Sequence, residues 1–178
     1  ISPADVKVDI PIEGGFVGMV DREHFDEWLR QRAAAAGAVR ITGTFDRIER
    51  TDDGMTVVHF QARDEGPRQA HAASVRCRSV IGADGARSEV AKQSIPGADR
   101  MRYVFAYHEI VRAPAQPGPD YDASRCDVYY RGTISPDFYG WVFPHGDTLS
   151  VGTGSADKGF SLRGSVQRMR ERVTEHIA

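Results

Sequence analysis

The sequence contains few cysteines and no long apolar runs, and each shortage excludes a class of protein. Its 178 residues include two cysteines, Cys77 and Cys126, far apart and without metal-ligand spacing. This excludes a disulfide scaffold or a zinc module, and we expect no metal site and a reducing compartment. No apolar run approaches the roughly 20 residues of a membrane-spanning helix, and no signal peptide pattern occurs. The sequence therefore predicts a cytoplasmic protein whose membrane contact, if any, is peripheral.

An excess of positive charge is also absent. The formal net charge is −2 and the isoelectric point is about 6.3, which argues against a nucleic-acid-binding surface. Most of the cations are arginines, a residue type suited to anion clamps, although a solvated arginine-rich surface explains the same composition. With 40% hydrophobic residues, a chain of this length buries a core of its own.

Residues 80–92, VIGADGARSEVAK, change abruptly from apolar to small and turn-prone and then to helical. The pattern predicts a strand, a tight turn and a helix start. Such a junction suits a phosphate-bearing cofactor, because small residues let the backbone approach a ligand and a helix N-terminus presents free N–H groups. Asp84 is able to accept a hydrogen bond from a ribose or ribityl hydroxyl. The purely structural alternative is an ordinary Asp-Gly turn that binds no ligand.

The pattern I-G-A-D-G-A-R-S-x-V in this junction resembles the second flavin fingerprint of the FAD-dependent hydroxylase and geranylgeranyl reductase superfamily. Three further stretches, residues 18–38, 135–154 and 159–172, resemble the geranylgeranyl reductase branch. The segment 135–154 is most similar to the chlorophyll and bacteriochlorophyll members, which saturate a geranylgeranyl tail to phytyl. The resemblance implies FAD and NADPH as cofactors, an isoprenoid or pigment as substrate, and a location at a photosynthetic membrane.

The same resemblance implies a fold and a set of cofactor contacts. It implies an α/β fold, α+β in this stretch, from a flavin hydroxylase-like two-domain protein. Residues 1–95 are expected to be part of the FAD-binding domain, and residues 96–178 part of a substrate domain with a mostly antiparallel sheet. The residues that match the family's flavin contacts are Arg22, Ala83, Asp84 and Gly85. From spacing alone, a surface arginine at a helix start is the favoured interpretation of Arg22.

Alternation in the segment YGWVFP places Tyr139, Trp141 and Phe143 on one side of a predicted strand. An aromatic core face of a sheet is the commoner use of this pattern. The resemblance implies instead a cavity for a polyprenyl chain, with Pro144 as a fourth substrate contact. A long isoprenoid needs such a surface, because its carbon chain offers no hydrogen-bonding groups.

Saturating an isolated alkene requires hydride from reduced flavin and a source of protons. The candidate proton donors are Tyr107, His108, Tyr139 and His145, and no pattern singles out one of them as catalytic. His145 falls in a predicted hairpin turn, whereas His108 falls in the middle of a predicted strand. The two cysteines have no neighbours that mark activated thiols.

Periodicity and turn signals predict the remaining elements. Extended segments are predicted over 1–12 and 16–20, and a packed amphipathic helix is predicted from Asp21 to Gly37. A hairpin over 39–50 and 55–63, a loop over 62–72 and a strand over 73–81 follow. After residue 96 the prediction is strands over 103–111, 127–130, 139–143 and 148–151, and a helix from Ser161.

The sequence also departs from the family pattern. It has no G-x-G-x-x-G after a first strand and no later Gly-Asp turn beyond the aromatic segment. We therefore expect an internal fragment of a larger flavoprotein that lacks the dinucleotide half-site. Two other functions stay open: an FAD-dependent aromatic hydroxylase, which shares the Asp-Gly turn, and a non-catalytic lipid- or pigment-binding module.

Overall fold

The protein is described here from a computed structural model, which describes residues 6–63, 70–115, 118 and 121–177. The chain divides into two compact units, Asp21–Met101 and a second unit formed by Ile1–Val20 with Arg102–Ala178. Each unit contains an antiparallel sheet and at least one helix. The α+β class predicted for this stretch is therefore confirmed. That residues 1–95 and 96–178 belong to a cofactor and a substrate domain stays a prediction.

The unit Asp21–Met101 contains a three-stranded sheet and two helices. Its elements are α1 (Arg22–Ala35), β1 (Gly43–Arg50), β2 (Thr56–Arg63), β3 (Ala70–Cys77) and α2 (Glu89–Ser94), followed by a 3₁₀ turn at Ala98–Arg100. The strands lie in the order β1-β2-β3. The predicted hairpin is confirmed by the antiparallel pairing of β1 with β2, although its first strand begins at Gly43 rather than at residue 39. Gly54 adopts the positive φ of +78° that the tight turn requires. Residues 64–69 of the predicted loop 62–72 lie outside the described residues, and the loop prediction is wrong for the others, which belong to β2 and β3.

Helix α1 begins and ends as predicted but does not pack as predicted. The Asp21 carboxylate accepts a hydrogen bond from the backbone N–H of Glu23 at 3.1 Å, and Gly37 follows with a φ of +96°. None of the residues of the helix is buried, and Phe25, Trp28 and Leu29 remain 37–48% exposed. The prediction of a packed helix is wrong for the described chain, because local spacing specifies an apolar stripe but not the element that covers it.

The second unit contains a four-stranded sheet covered by one helix. Its elements are β4 (Phe105–Arg112), β5 (Asp127–Tyr129), β6 (Gly140–His145), β7 (Thr148–Ser155) and α3 (Leu162–Ile177). The strands lie in the order β4-β7-β6-β5, and all the pairings are antiparallel. The predicted antiparallel sheet and terminal helix are confirmed, and β7 continues four residues beyond its predicted end.

The core of this unit lies between α3 and one face of the sheet. Its buried apolar side chains are Ile134, Val142, Leu149, Val151, Val166 and Met169. Val151 on β7 pairs with Val142 on β6 and with Glu109 on β4. Alternate residues of each strand therefore face the helix, and the residues between them form the opposite face, here called the open face.

One predicted strand is absent and another ends earlier than predicted. Residues 16–20 form no strand, and the strand predicted over 73–81 is β3, which ends at Cys77. Val80 and Ile81 belong to no strand, and Ile81 is 90% exposed. A β-branched run becomes a strand only when a neighbouring strand accepts its backbone hydrogen bonds, and the described chain provides none at residues 78–82.

Candidate functional site

The three aromatic side chains predicted for substrate lie together on the open face. Along β6, Gly140, Val142 and Pro144 are buried, whereas Trp141 and Phe143 are half-buried. The ring of Trp141 meets the ring of Tyr139 edge to face at 6.0 Å and stacks with the ring of Phe143 at 6.1 Å. Tyr139, Trp141 and Phe143, here called the aromatic wall, thus form a continuous row that the core does not use.

Two further aromatic residues, which sequence reasoning missed, extend this row. Phe138 stacks on Tyr139 with 4.2 Å between ring centres, and the ring of Tyr130 lies 5.7 Å from that of Tyr139. Both residues are plain in the sequence, but Tyr130 directly follows β5, and it reaches the wall because β5 pairs with β6. Among the described residues, the row of contacting Phe, Tyr and Trp rings therefore contains five members rather than three.

Glycines on β7 make room for the wall. A β-carbon at Gly152 would lie 2.2 Å from indole carbon Cζ2 of Trp141, and one at Gly154 would lie 2.9 Å from ring carbon Cδ1 of Phe138. Real β-carbons essentially never approach so closely, so a side chain at either position would force a neighbouring ring or the sheet to move. The signal available in the sequence was the spacing Gly-x-Gly at the end of the resembling segment, which places both glycines on the same face of a strand.

Pro144 does not join the aromatic wall. It is buried on the face toward α3 and pairs with Leu149 of the core. Tyr107, one candidate proton donor, also lies on that face, where its hydroxyl donates to Glu109 Oε1 at 3.1 Å. Glu109 accepts in turn from Arg170 of α3 at 2.6 Å. The open face retains Tyr139, His108 and His145 from the same set of candidates.

A serine hydroxyl connects the wall with His108. The indole Nε1–H of Trp141 donates to Ser150 Oγ at 3.1 Å, and His108 Nδ1 lies 3.0 Å from the same oxygen. The strand register explains the meeting, because Gly152 of β7 pairs with His108 on one side and with Trp141 on the other. Three adjacent strands thus place a histidine, a serine and a tryptophan on the open face.

The loop that delivers Tyr139 is held by a polar cluster. The carboxylate of Asp137 accepts from the Ser155 hydroxyl at 2.6 Å and from the backbone N–H of Ala156 at 2.9 Å. These hydrogen bonds hold the pKa of Asp137 below its usual value, and the bond from Ser155 has the largest effect. The Ser135 hydroxyl donates to the backbone oxygen of Gly154 at 2.7 Å and accepts from the N–H of Phe138. The aromatic row therefore begins from an anchored loop.

The predicted flavin turn lies at the start of α2. Asp84 accepts from the Ser88 hydroxyl at 2.5 Å and from the backbone N–H groups of Glu89 and Val90 at 2.8 and 3.2 Å. The same contacts, with Ser88 the strongest, lower the pKa of Asp84. The carboxylate therefore orders the turn and satisfies two backbone N–H groups at the start of α2, whose N-cap residue is Ser88.

The backbone of this turn is open where a ligand would approach. Gly85 has a φ of +82°, and no atom lies within 4 Å of the position that its β-carbon would take. A cleft of about 400 Å³ adjoins the turn between β1, the segment 78–82 and α2. Two cations, Arg50 and Arg78, line this cleft. An exposed backbone with nearby guanidinium groups suits part of a phosphate-bearing group.

Arg22 forms its side-chain hydrogen bonds within α1 and not with the turn at residues 83–85. It is the first residue of α1, and its guanidinium forms a two-point ion pair with Asp26 at 2.8 and 3.0 Å. The pairing raises the pKa of Arg22 and lowers that of Asp26. Of the four predicted flavin contacts, Ala83, Asp84 and Gly85 lie in one turn, whereas the guanidinium of Arg22 is paired with Asp26 in α1.

The described residues also give evidence on metal sites, reactive thiols and membrane-spanning helices. They include no cluster of histidine, cysteine and carboxylate side chains able to hold a metal ion. Both cysteines are free thiols, and partial burial raises the pKa of Cys126, which disfavours the reactive thiolate. Among the helices of the described ranges, none is long and apolar enough to cross a membrane.

Comparisons with known proteins show which proteins the chain is similar to. The chain is 54% identical to the geranylgeranyl diphosphate reductase of Rhodobacter capsulatus over 171 residues, which are 96% of this chain and 42% of that protein. It is 40% identical to the chloroplastic geranylgeranyl diphosphate reductase of Oryza sativa over 165 residues, 87% of the chain and 34% of the relative. The chain is a homologue of the geranylgeranyl diphosphate reductases. The resemblance noted in the sequence is therefore confirmed.

This reductase homologue also has more distant relatives. It is 29% identical over 161 residues to the digeranylgeranylglycerophospholipid reductase of Methanocaldococcus jannaschii, 88% of the chain and 38% of that protein. The chain thus spans about two fifths of the length of the curated relatives it matches. No family model and no solved structure matches it.

Proposed function

We propose that the chain is part of an FAD-dependent reductase that saturates the double bonds of a geranylgeranyl group. The substrate is geranylgeranyl diphosphate or a geranylgeranyl-(bacterio)chlorophyll, and the product carries a phytyl group. The homology supports this proposal, and one structural observation carries it: a row of aromatic rings lies on the open face of a sheet whose core is complete without them.

The open face suits an isoprenoid for a physical reason. A polyprenyl chain binds through buried apolar area, worth about 25 cal/mol per Å². Tyr139, Trp141 and Phe143 supply that area, and the glycines at 152 and 154 leave room beside the rings. Pro144 is buried on the face toward α3, so we assign it no contact with the substrate in this proposal.

We further propose that Arg22, Ala83, Asp84 and Gly85 contact FAD in a full-length reductase that carries this sequence. The turn fits a phosphate-bearing cofactor in its open backbone and in the cationic cleft beside it. FAD, reduced by NADPH, supplies hydride to the alkene when bound. In this assignment the backbone at 83–85 contacts the cofactor, Asp84 holds the turn in shape, and Arg22 exchanges Asp26 for a phosphate.

The remaining family properties are proposals of the same kind. They comprise the flavin hydroxylase-like two-domain fold and the assignment of residues 1–95 and 96–178 to its cofactor and substrate domains. They also comprise a cytoplasmic location with peripheral contact at a photosynthetic membrane. The plant relatives are named chloroplastic, which supports this location.

The decisive experiment is a product assay on a full-length reductase that carries this sequence. The enzyme is incubated without oxygen with NADPH, FAD and either geranylgeranyl diphosphate or a geranylgeranyl pigment ester, and the products are analysed by mass spectrometry. We expect successive gains of two hydrogens per double bond. Oxygen-dependent hydroxylation of an aromatic substrate would indicate a hydroxylase instead, and binding of isoprenoid without flavin absorbance would indicate a binding module.

A further inference from the structure

His108 and Ser150 are polar side chains that meet among apolar neighbours on the open face. On β4, the neighbours of His108 on the same face are Ala106 and Ile110, and Ile110 is 60% exposed. On β7 and β6, the positions beside it are Gly152 and Trp141. An imidazole at this point is held in a defined way, because its Nδ1 lies 3.0 Å from the Ser150 hydroxyl.

The hydrogen bonds at Ser150 determine which nitrogen of His108 carries the proton. An indole N–H only donates, so Trp141 occupies one lone pair of Ser150 Oγ. The Ser150 hydroxyl hydrogen has His108 Nδ1 as its partner among the described residues. The arrangement that satisfies all three groups has Ser150 donating to Nδ1, which puts the proton of the neutral imidazole on Nε2. His108 thus presents an Nε2–H donor on the open face.

We propose that His108 contacts the substrate by donating this Nε2–H to an oxygen at the head of the isoprenoid, and that Ser150 is its positioning residue. The inference rests on the proposed function. The carbon chain of an isoprenoid has no oxygen or nitrogen acceptor, so the head group is the part of the substrate that a fixed donor on an apolar face recognises. Ser150 serves both ends of the site, since it also orients the indole of Trp141.

Two substitutions of His108 distinguish the role of Nε2 from the role of Nδ1. His108→Gln places an amide N–H near the position of Nε2, whereas His108→Asn places an amide oxygen near the position of Nδ1 and removes the outer donor. In a full-length reductase that carries this sequence, we expect His108→Asn to raise KM about 10-fold or more and to leave kcat within about 2-fold of wild type. The reason is that the variant loses one hydrogen bond to a charged or polar acceptor on the substrate. His108→Gln is expected to stay within about 3-fold of wild type.

A second measurement reports on Ser150 without turnover. The chain has two tryptophans, so a ¹H–¹⁵N spectrum of a protein labelled at tryptophan contains the indole signal of Trp141 and that of Trp28 as an internal reference. Ser150→Ala is expected to shift the Trp141 signal, because the indole loses its acceptor, and to raise KM in the same direction as His108→Asn. His59→Asn, at a half-buried histidine of β2 that pairs with Glu49, is the control for a general loss of stability.

The kinetics are measured with geranylgeranyl diphosphate and with a geranylgeranyl ester. A rise in KM confined to the diphosphate identifies phosphate oxygens as the acceptor, and an equal rise with both identifies the C1 oxygen that they share. Equal kinetics for His108→Asn and His108→Gln, or a fall in kcat alone, would overturn the head contact. A wild-type enzyme that leaves both substrates unreduced would instead overturn the proposed function.

Discussion

The indole of Trp141 lies directly over the backbone of Gly152, so that a β-carbon at Gly152 would lie 2.2 Å from ring carbon Cζ2. Gly152 belongs to β7 and Trp141 to β6, and the two residues are cross-strand partners. The orientation of the central ring of the aromatic wall therefore depends on the absence of a side chain on the neighbouring strand.

Gly152→Ala is expected to displace the indole and to weaken the use of isoprenoid substrates about 10-fold or more. Forced overpacking costs about 1–3 kcal/mol, and either the ring or the sheet must move to accept it. The measurement is KM for geranylgeranyl diphosphate together with the melting temperature. Gly132→Ala is the matched control, since an added β-carbon there meets nothing within 4 Å. Unchanged KM in the Gly152 variant would show that the ring position does not matter for substrate.

Trp141→Ala is expected to weaken isoprenoid processing far more than flavin binding. The ring packs between Tyr139 and Phe143 on the open face, and its loss from a filled apolar site costs about 2–4 kcal/mol, or roughly 30- to 1000-fold in affinity. Steady-state kinetics and flavin titration measure the two effects separately. A large loss of stability with unchanged kinetics would mean that Trp141 serves folding rather than substrate binding.

Gly85→Val is expected to abolish flavin retention in a full-length reductase. A β-branched residue disfavours the φ of +82° and would occupy the open space beside the turn. Gly54→Val carries a comparable strain, with a φ of +78° and equally open surroundings in the hairpin turn of the same unit. Flavin absorbance after gel filtration distinguishes them: if both variants lose flavin equally, strain alone explains the result.

The stability of the second unit is expected to fall in acid partly through Asp137. Its pKa in the folded chain lies below the unfolded value of about 3.9. The stabilisation is therefore complete above the unfolded pKa and is lost as pH falls toward the folded pKa. Thermal unfolding between pH 7 and pH 2 should show a weaker pH dependence for Asp137→Asn than for wild type. Asp147→Asn, in the β6–β7 turn, is the comparison, and identical pH profiles for all three proteins would contradict the prediction.

Much of this architecture follows from local sequence. Asp21 and Ser88 cap the two helices of the first unit as their positions indicate. Gly54 and Gly146 adopt positive φ in the two hairpin turns where the turn signals place them. The alternating rings at 139, 141 and 143 share one side of β6. These features depend on residues within a few positions of each other, so the chain specifies them without distant partners.

Tertiary structure decided how those elements are used. Alternation left two uses open for the aromatic residues of β6, and the packing of α3 on the opposite face assigned the core to Val142 and Val151. Residues 78–82 do not extend β3, because no strand in the described chain pairs with them. The meeting of His108 with Trp141 at one serine arises from the register of three strands far apart in sequence. Cross-strand register depends on contacts across many residues of intervening chain, and periodicity along a single strand carries no information about it.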